Sequence, residues 1–299
     1  IDSDGDLDII IADHEKIYWF ENTDGQGNFQ NPDTIYIPDD GSFTNFLGKS
    51  FIAYDFDNDS DRDLLINYIY FDGINPHNYL SILENESGNG KSWKEHIIAE
   101  TLNPIYVFEI GDLNKDSLTD IVIMGRFDGC NWIEKKSSNI EYNDPKNIPV
   151  PKTFNVPHNI NIEDLDNDSD PDIIFYSGGN YWNENLDGQG NFGFSQLIHP
   201  SVTTFSTADV TGDNFPDLIS GVVNQVVWTE NRLAYTHTLS GNLFRDSIPN
   251  CLPDSAEIGL HGWQIQFDSD DKSYLTVTDE FGNYSLKVDT GTYTVNVPI

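Results

Sequence analysis

Residues 55–63 read DFDNDSDRD, five carboxylates in nine residues, and the apolar run LLI follows directly. Like charges at this density repel one another, so the stretch either stays in a disordered acidic segment or is neutralised by a bound cation. Leu64, Leu65 and Ile66 read as a buried strand, which argues against disorder. The same grammar returns as IDSDGDLDIII, DLNKDSLTDIVI, DLDNDSDPDIIF and DVTGDNFPDLIS.

Numbered from the first aspartate of the nine, the side chains at positions 1, 3, 5 and 9 are Asp55, Asp57, Asp59 and Asp63, and Asp61 offers its carbonyl at position 7. Hard oxygen donors in this number suit Ca²⁺, which takes 6–8 of them at about 2.3–2.6 Å, whereas Mg²⁺ wants a stricter octahedron. The fourth copy is equally rich, with Asp164, Asp166, Asp168 and Asp172 around Asp170. The third sets Asn114 between Asp112, Asp116 and Asp120, with Leu118 at position 7. The fifth sets Thr211 between Asp209, Asp213 and Asp217, with Phe215 at position 7. Each of these two keeps an oxygen and drops a charge, so weaker affinity is expected there. The first copy holds Asp2, Asp4, Asp6 and Asp8, but its position 1 falls before Ile1, so that site is expected to be incomplete. An EF-hand would need flanking helices and a glutamate at position 12. The nine-residue calcium β-helix would repeat far faster than these loops do.

The last aspartates, Asp8, Asp63, Asp120, Asp172 and Asp217, are 55, 57, 52 and 45 residues apart, the range expected of a propeller blade. A second strand follows each loop with the pattern aromatic-x-Glu-Asn: WFEN at Trp19, WNEN at Trp182 and WTEN at Trp228. WIEK at Trp132 changes the last residue and ILEN at Ile82 the first. In two units the hairpin DGQGNF comes next, its Gly and Asn supplying positive φ. Each unit therefore reads as strand, acidic loop, strand, aromatic strand, hairpin, strand. Such a sheet cannot cover its own faces, so neighbours must stack. The expectation is an all-β chain: a partial β-propeller of about five four-stranded blades over residues 1–234, its tryptophans packed between blades, then a small Ig-like β-sandwich over residues 235–299.

These units resemble FG-GAP or VCBS repeats, the blade unit of the integrin alpha-subunit propeller and of many bacterial secreted proteins. The resemblance covers about residues 1–233. It implies that metal sits in the hairpin between the first two strands of a blade, with Asp55, Asp57, Asp59 and Asp63 and their counterparts as ligands. One departure matters: the glycine usual at position 6 survives only as Gly5 and is Ser60, Ser117, Ser169 and Asn214 elsewhere, which requires non-glycine residues in a left-handed or bridging conformation. The tail, with DEFGNYSL followed by GTYTV, resembles the B-type Ig-like domains of bacterial adhesins, related to carboxypeptidase-regulatory-like sandwiches. Asp246, Asn250, Asp254 and Glu257 match that family's acidic loop in part.

A formal charge of −35 on 299 residues repels nucleic acid and anionic membrane surfaces and favours cations. No apolar run approaches the roughly 18 residues of a membrane span. Cys130 and Cys251 match no zinc spacing, and neither G-x-S-x-G nor H-E-x-x-H occurs. The chain starts inside an aspartate motif and stops in what should be a late strand, which suggests a fragment. The leading expectation is a non-catalytic, calcium-binding, extracellular or bacterial cell-surface protein that binds a glycan or protein ligand and continues into further domains of the same polypeptide. The alternatives are the propeller portion of a polysaccharide lyase or hydrolase, or a structural spacer. The segments 70–78 and 126–131 vary most between units and are the candidates for partner contact.

Overall fold

In the computed structural model the described residues are 1–13, 16–36, 44–71, 74–125, 128–151, 156–199, 205–222, 225–231, 237–246, 258–269, 272–288 and 291–297. Among them there is no helix, hence none long and apolar enough to cross a membrane.

Strands follow one another in sequential order. The first sheet is β1 (Ile9–Ala12), β2 (Ile17–Phe20) and β3 (Asp33–Tyr36). The second is β4 (Thr44–Tyr54), β5 (Asp63–Phe71), β6 (Pro76–Asn85) and β7 (Trp93–Thr101). The third is β8 (Ile105–Gly111), β9 (Asp120–Gly125), β10 (Gly129–Ile133) and β11 (Lys146–Ile148). The fourth is β12 (Asn159–Glu163), β13 (Asp172–Tyr176), β14 (Asn180–Asn183) and β15 (Gln196–His199), and the fifth is β16 (Phe205–Ala208), β17 (Asp217–Val222) and β18 (Gln225–Thr229). These are the meander sheets of a partial propeller. Against the expectation of four strands in every unit, the first and fifth sheets hold three described strands each. β1 follows its acidic loop directly, so β1, β2 and β3 take the second, third and fourth places. β16, β17 and β18 take the first three, and residues 232–236 beyond them lie outside the described residues.

The repeat is exact enough to include an irregularity. Two residues before the aromatic position the pairing of third and fourth strands slips, at Ile17/Tyr18, Leu80/Ser81 and Asn180/Tyr181. The second strand of each central sheet is buried on both faces, as at Asp63–Tyr68 in β5 and along all of β9. This is why LLI and IVIM read as continuous apolar runs rather than alternating ones.

By compactness the chain divides into two units, one of Ile1–Phe108, Leu118–Asp128 and Ile133–Lys146, the other of Glu109–Ser117, Gly129–Trp132 and Asn147–Ile299. In the first, Trp19 of β2 packs with Leu64, Ile66 and Leu83 of the second sheet. A Cβ on Gly90 would meet its ring at 2.8 Å. In the second unit Trp132 lies against Gly190, where a Cβ would come within 2.1 Å of the indole, and Trp182 packs with Leu165, Ile174, Phe205 and Leu218. Trp19, Trp132 and Trp182 are 1%, 3% and 2% exposed, whereas Trp228 of the fifth sheet is 51% exposed. Trp19, Trp132 and Trp182 thus serve packing between consecutive sheets, each reaching the hairpin or strands of the next.

The tail forms two small sheets. β19 (His237–Asn242) pairs with β22 (Asn283–Val288), and β20 (Gln264–Asp268) lies between β21 (Ser273–Val277) and β23 (Thr294–Asn296). Ile265 and Phe267 of one sheet share a core with Leu286 and Val288 of the other.

Candidate metal centre

In sheets two to five the acidic loop is the hairpin between first and second strands, and its ninth residue opens the second strand. The loops fold alike because the same short hydrogen bonds recur. The position 1 carboxylate accepts from the backbone N–H groups of positions 5 and 6: Asp55 from Asp59 and Ser60 at 3.2 and 3.0 Å, Asp112 from Asp116 and Ser117 at 3.1 and 2.8 Å, Asp164 from Asp168 and Ser169 at 3.1 and 2.9 Å, Asp209 from Asp213 and Asn214 at 3.1 and 3.0 Å. Such side-chain turns wrap the chain around one carboxylate. Wrapping this tight forces positive φ twice. At position 4 it falls on Ser3, Asn58, Lys115, Asn167 and Gly212, at position 6 on Gly5, Ser60, Ser117, Ser169 and Asn214, with φ between 59° and 94°. The non-glycine residues expected to be left-handed at position 6 are left-handed, and position 4 joins them. Among the described residues, every non-glycine residue with positive φ sits in these loops, and backbone strain of this kind gathers at sites with a function to keep.

The ninth aspartate is a buried hub. Asp63 accepts from the N–H of Phe56 and of Asn85, both at 2.8 Å. Asp172 accepts from Leu165 and Asn185 at 3.0 and 2.8 Å, and Asp217 from Val210 and Asn231 at 2.9 and 2.8 Å. Asp8 repeats this with the Ile1 amino group at 3.0 Å and Asn22 at 2.9 Å, and Asp120 takes the N–H of Lys135 at 2.8 Å. Each ninth aspartate thus ties its loop to the aromatic-x-Glu-Asn strand.

In the second and fourth loops three carboxylates converge. Oxygens of Asp55, Asp57 and Asp63 lie within 4.8 Å of one another, and so do those of Asp164, Asp166 and Asp172. Asp59 and Asp61 are not part of the first group. Asp168 instead joins Asp166 and Glu184 in a further group of the same span. Among the described residues the first, third and fifth loops form no such group. The position 7 side chains take another place: Asp6, Asp61 and Asp170 stand over Gly25, Gly88 and Gly188 of the hairpins. Burial pushes Asp63 up to about 6 and Asp172 up to about 8, against the pull of the N–H groups they accept. Burial, then repulsion by Asp59, Asp63, Asp57 and Asp55, pushes Asp61 up to about 7.

A divalent cation fits these two loops on two observations. In both, the donors are all carboxylate or carbonyl oxygens, and in the fourth loop Oδ1 of Asp166 is buried without a hydrogen-bond partner, which leaves a lone pair that a cation would satisfy.

Two sequence expectations change. The segment 70–78 is not a long loop: Tyr70 and Phe71 belong to β5 and Pro76–Asn78 to β6. Asn78 is 3% exposed and donates to the Thr101 carbonyl at 3.2 Å, so it is a structural residue rather than a partner contact. Residues 126–127 of the other candidate segment, like Asn250, Asp254 and Glu257 of the tail, lie outside the described residues.

Residues 1–66 and 55–123 match the family model of the FG-GAP-like repeat. Residues 1–123, less than half of the chain, are thus similar to FG-GAP-like repeats, and the acidic loops at 2–8, 55–63 and 112–120 lie within the matched stretch. No curated protein matches the chain by sequence. Among solved structures it is similar to one described as the structural basis of recognition of non-reducing terminal N-acetylglucosamine by an Agrocybe aegerita lectin, at 15% identity over 77% of this chain and 74% of that one, with a TM-score of 0.41.

Proposed function

We propose that the chain is a non-catalytic, calcium-binding repeat scaffold, secreted or displayed on a bacterial surface, that presents a binding face to a glycan or an extracellular protein. The observation that carries the calcium part is the convergence of Asp55, Asp57 and Asp63, and of Asp164, Asp166 and Asp172, in loops of identical wrapping. Calcium would supply positive charge that offsets the repulsion of these close-set carboxylates and would lock the first hairpin of the second and fourth sheets. Oxygen-donor sites of extracellular modules work at Kd of about 10⁻⁴–10⁻³ M, a range that suits exported proteins.

The binding face is assigned to the second sheet. Its β5 and β6 run for 9 and 10 residues, against 4–6 for the same strands elsewhere. The extension carries half-buried rings, Tyr70 6.3 Å from Tyr79 and His77 stacked on Tyr79 at 6.0 Å and 6°, and the buried ring of Tyr68, 5.5 Å from Tyr79, ties them to the core. Glu100 holds His77 Nδ1 at 2.7 Å. Rings beside carboxylates offer apolar faces with polar edges, the chemistry that suits a sugar or a polar peptide.

Two measurements test the reading. A chelator should lower the melting temperature, since a site filled at a hundredfold excess over Kd contributes about 2.7 kcal/mol; an unchanged melting curve rejects calcium. On a glycan and protein array, Asn75→Ala with His77→Ala should weaken binding while leaving the chelator effect intact. Binding that survives this change moves the face elsewhere.

A further inference from the structure

The glutamate of the aromatic-x-Glu-Asn strand has a pattern of its own. Glu84 of β6 accepts from Lys94 at 3.1 Å and from His96, both on the neighbouring β7. Glu134 accepts from Lys146 of β11 at 2.7 Å and from Asn143 at 2.9 Å. In both sheets the fourth strand supplies the cation. The fourth strand of the fourth sheet, QLIH, has no lysine. Its glutamate, Glu184, is paired instead with Lys287 of β22, 2.9 Å away and 103 residues further along the chain.

Lys287 does more than replace a missing partner. Its ammonium also pairs with Oδ2 of Asp166, the position 3 carboxylate of the fourth acidic loop, and stands 5.5 Å from the centroid of Trp182. Its backbone N–H donates to Gln196 Oε1 of β15 at 2.9 Å. Asp166 is 4% exposed at the side chain, and its Oδ1 is buried without a partner. The carboxylate therefore faces two ways: one oxygen is held by the tail, and the residue belongs both to the loop group with Asp164 and Asp172 and to the group with Asp168 and Glu184.

We propose that Lys287 is a cationic latch that holds the tail on the fourth sheet, and that a divalent cation entering the fourth loop competes with it for Asp166. The inference rests on the calcium reading of the loops. Two cations sharing one buried carboxylate repel, so metal binding and tail docking oppose each other, and by linkage each weakens the other by the same factor. The second loop provides the comparison. It gathers the same three aspartates, and among the described residues no lysine pairs with Asp55, Asp57 or Asp63.

The test uses the full chain. Calcium is titrated calorimetrically into it and into Lys287→Met, and exchange of the Lys287 amide is followed by NMR with and without calcium. Competition predicts that one site tightens about tenfold in Lys287→Met, the scale of a coupling between linked sites, while the others keep their affinity. It also predicts that calcium speeds exchange of the Lys287 amide in the unmodified chain, as the contact to Gln196 opens, and that Lys287→Arg behaves like the unmodified chain. Calcium binding with Lys287 exchange indifferent to calcium, or with every affinity unchanged in a folded Lys287→Met chain, overturns the competition alone. A calorimetric blank for the unmodified chain overturns the calcium reading and the competition together. The exchange measurement needs no variant, so a Lys287→Met chain that folds poorly leaves it decisive.

Discussion

Asn185 donates its side-chain amide to the Leu113 carbonyl at 2.8 Å and to the Pro171 carbonyl at 3.1 Å, while its own Oδ1 accepts the Gly190 N–H at 3.1 Å. Leu113 is position 2 of the preceding sheet's acidic loop. The same bond joins Asn85 to Ile1 at 3.0 Å and Asn231 to Leu165 at 2.6 Å. Where the asparagine is replaced, by Lys135, the ammonium reaches the equivalent carbonyl of Phe56. One side chain thus closes its own hairpin and ties it to the neighbouring loop.

Asn185→Ala strands the buried Leu113 carbonyl together with the part-buried Pro171 carbonyl and Gly190 N–H. An unsatisfied buried group costs about 1–3 kcal/mol, so a loss of at least about 2 kcal/mol is expected in urea unfolding. A loss below about 0.5 kcal/mol would mean that water replaces the amide.

The hairpin glycines separate backbone strain from packing. Gly27 and Gly190 occupy the same place in two copies of DGQGNF, with φ of 87° and 76°, yet a Cβ on Gly27 meets nothing within 4 Å and one on Gly190 overlaps Trp132. Gly27→Ala should cost about 1–2 kcal/mol, the left-handed penalty alone. Gly190→Ala adds the displacement of a buried indole and should cost clearly more. Equal midpoints for the two variants would refute packing of Trp132 against that hairpin.

Burial pushes the Cys130 thiol well above its ordinary range, and the residue is fully buried. A thiol whose folded pKa exceeds the unfolded value of about 8.5 gives its full stabilisation below that pH and loses it as pH rises. Stability should therefore fall more steeply above pH 8.5 in the native chain than in Cys130→Ala. Peptide mapping after iodoacetamide should find Cys130 unmodified until denaturant is added. Rapid native alkylation would show that the thiol opens to solvent.

What the sequence made legible was whatever repeats in side-chain identity. The aspartate offsets located the hairpins, the interval located the sheets, and the family's usual glycine at position 6, kept here as Gly5, pointed to left-handed or bridging backbone at Ser60 and Ser169. Contacts to backbone were hidden, since the Leu113 carbonyl that Asn185 finds carries no mark of residue type. The glutamates were hidden differently. Glu184 reads as one letter of a packing strand, and only the pairing with Lys287, distant in sequence, shows it partnered. Asn78 looked like loop because Asp, Gly, Asn and Pro cluster at 72–78, but β5 and β6 run almost to the turn.

The last expectation concerns which aspartates hold metal in the second loop. Position by position, the repeat treats Asp57 and Asp59 as equal ligands. In the fold Asp57 converges with Asp55 and Asp63, whereas Asp59 lies outside that group and spends Oδ1 on the Asp61 N–H at 3.0 Å. Asp57→Asn keeps the shape and removes one charge from the converged set, so it should weaken calcium at this site by about tenfold, or 1.4 kcal/mol. Asp59→Asn keeps an oxygen for the turn and removes a charge from outside the set, so it should weaken calcium less than Asp57→Asn does. Calorimetry on the two variants decides between them: a larger loss for Asp59→Asn would show that the loop closes further around its metal and draws position 5 into the first contact sphere.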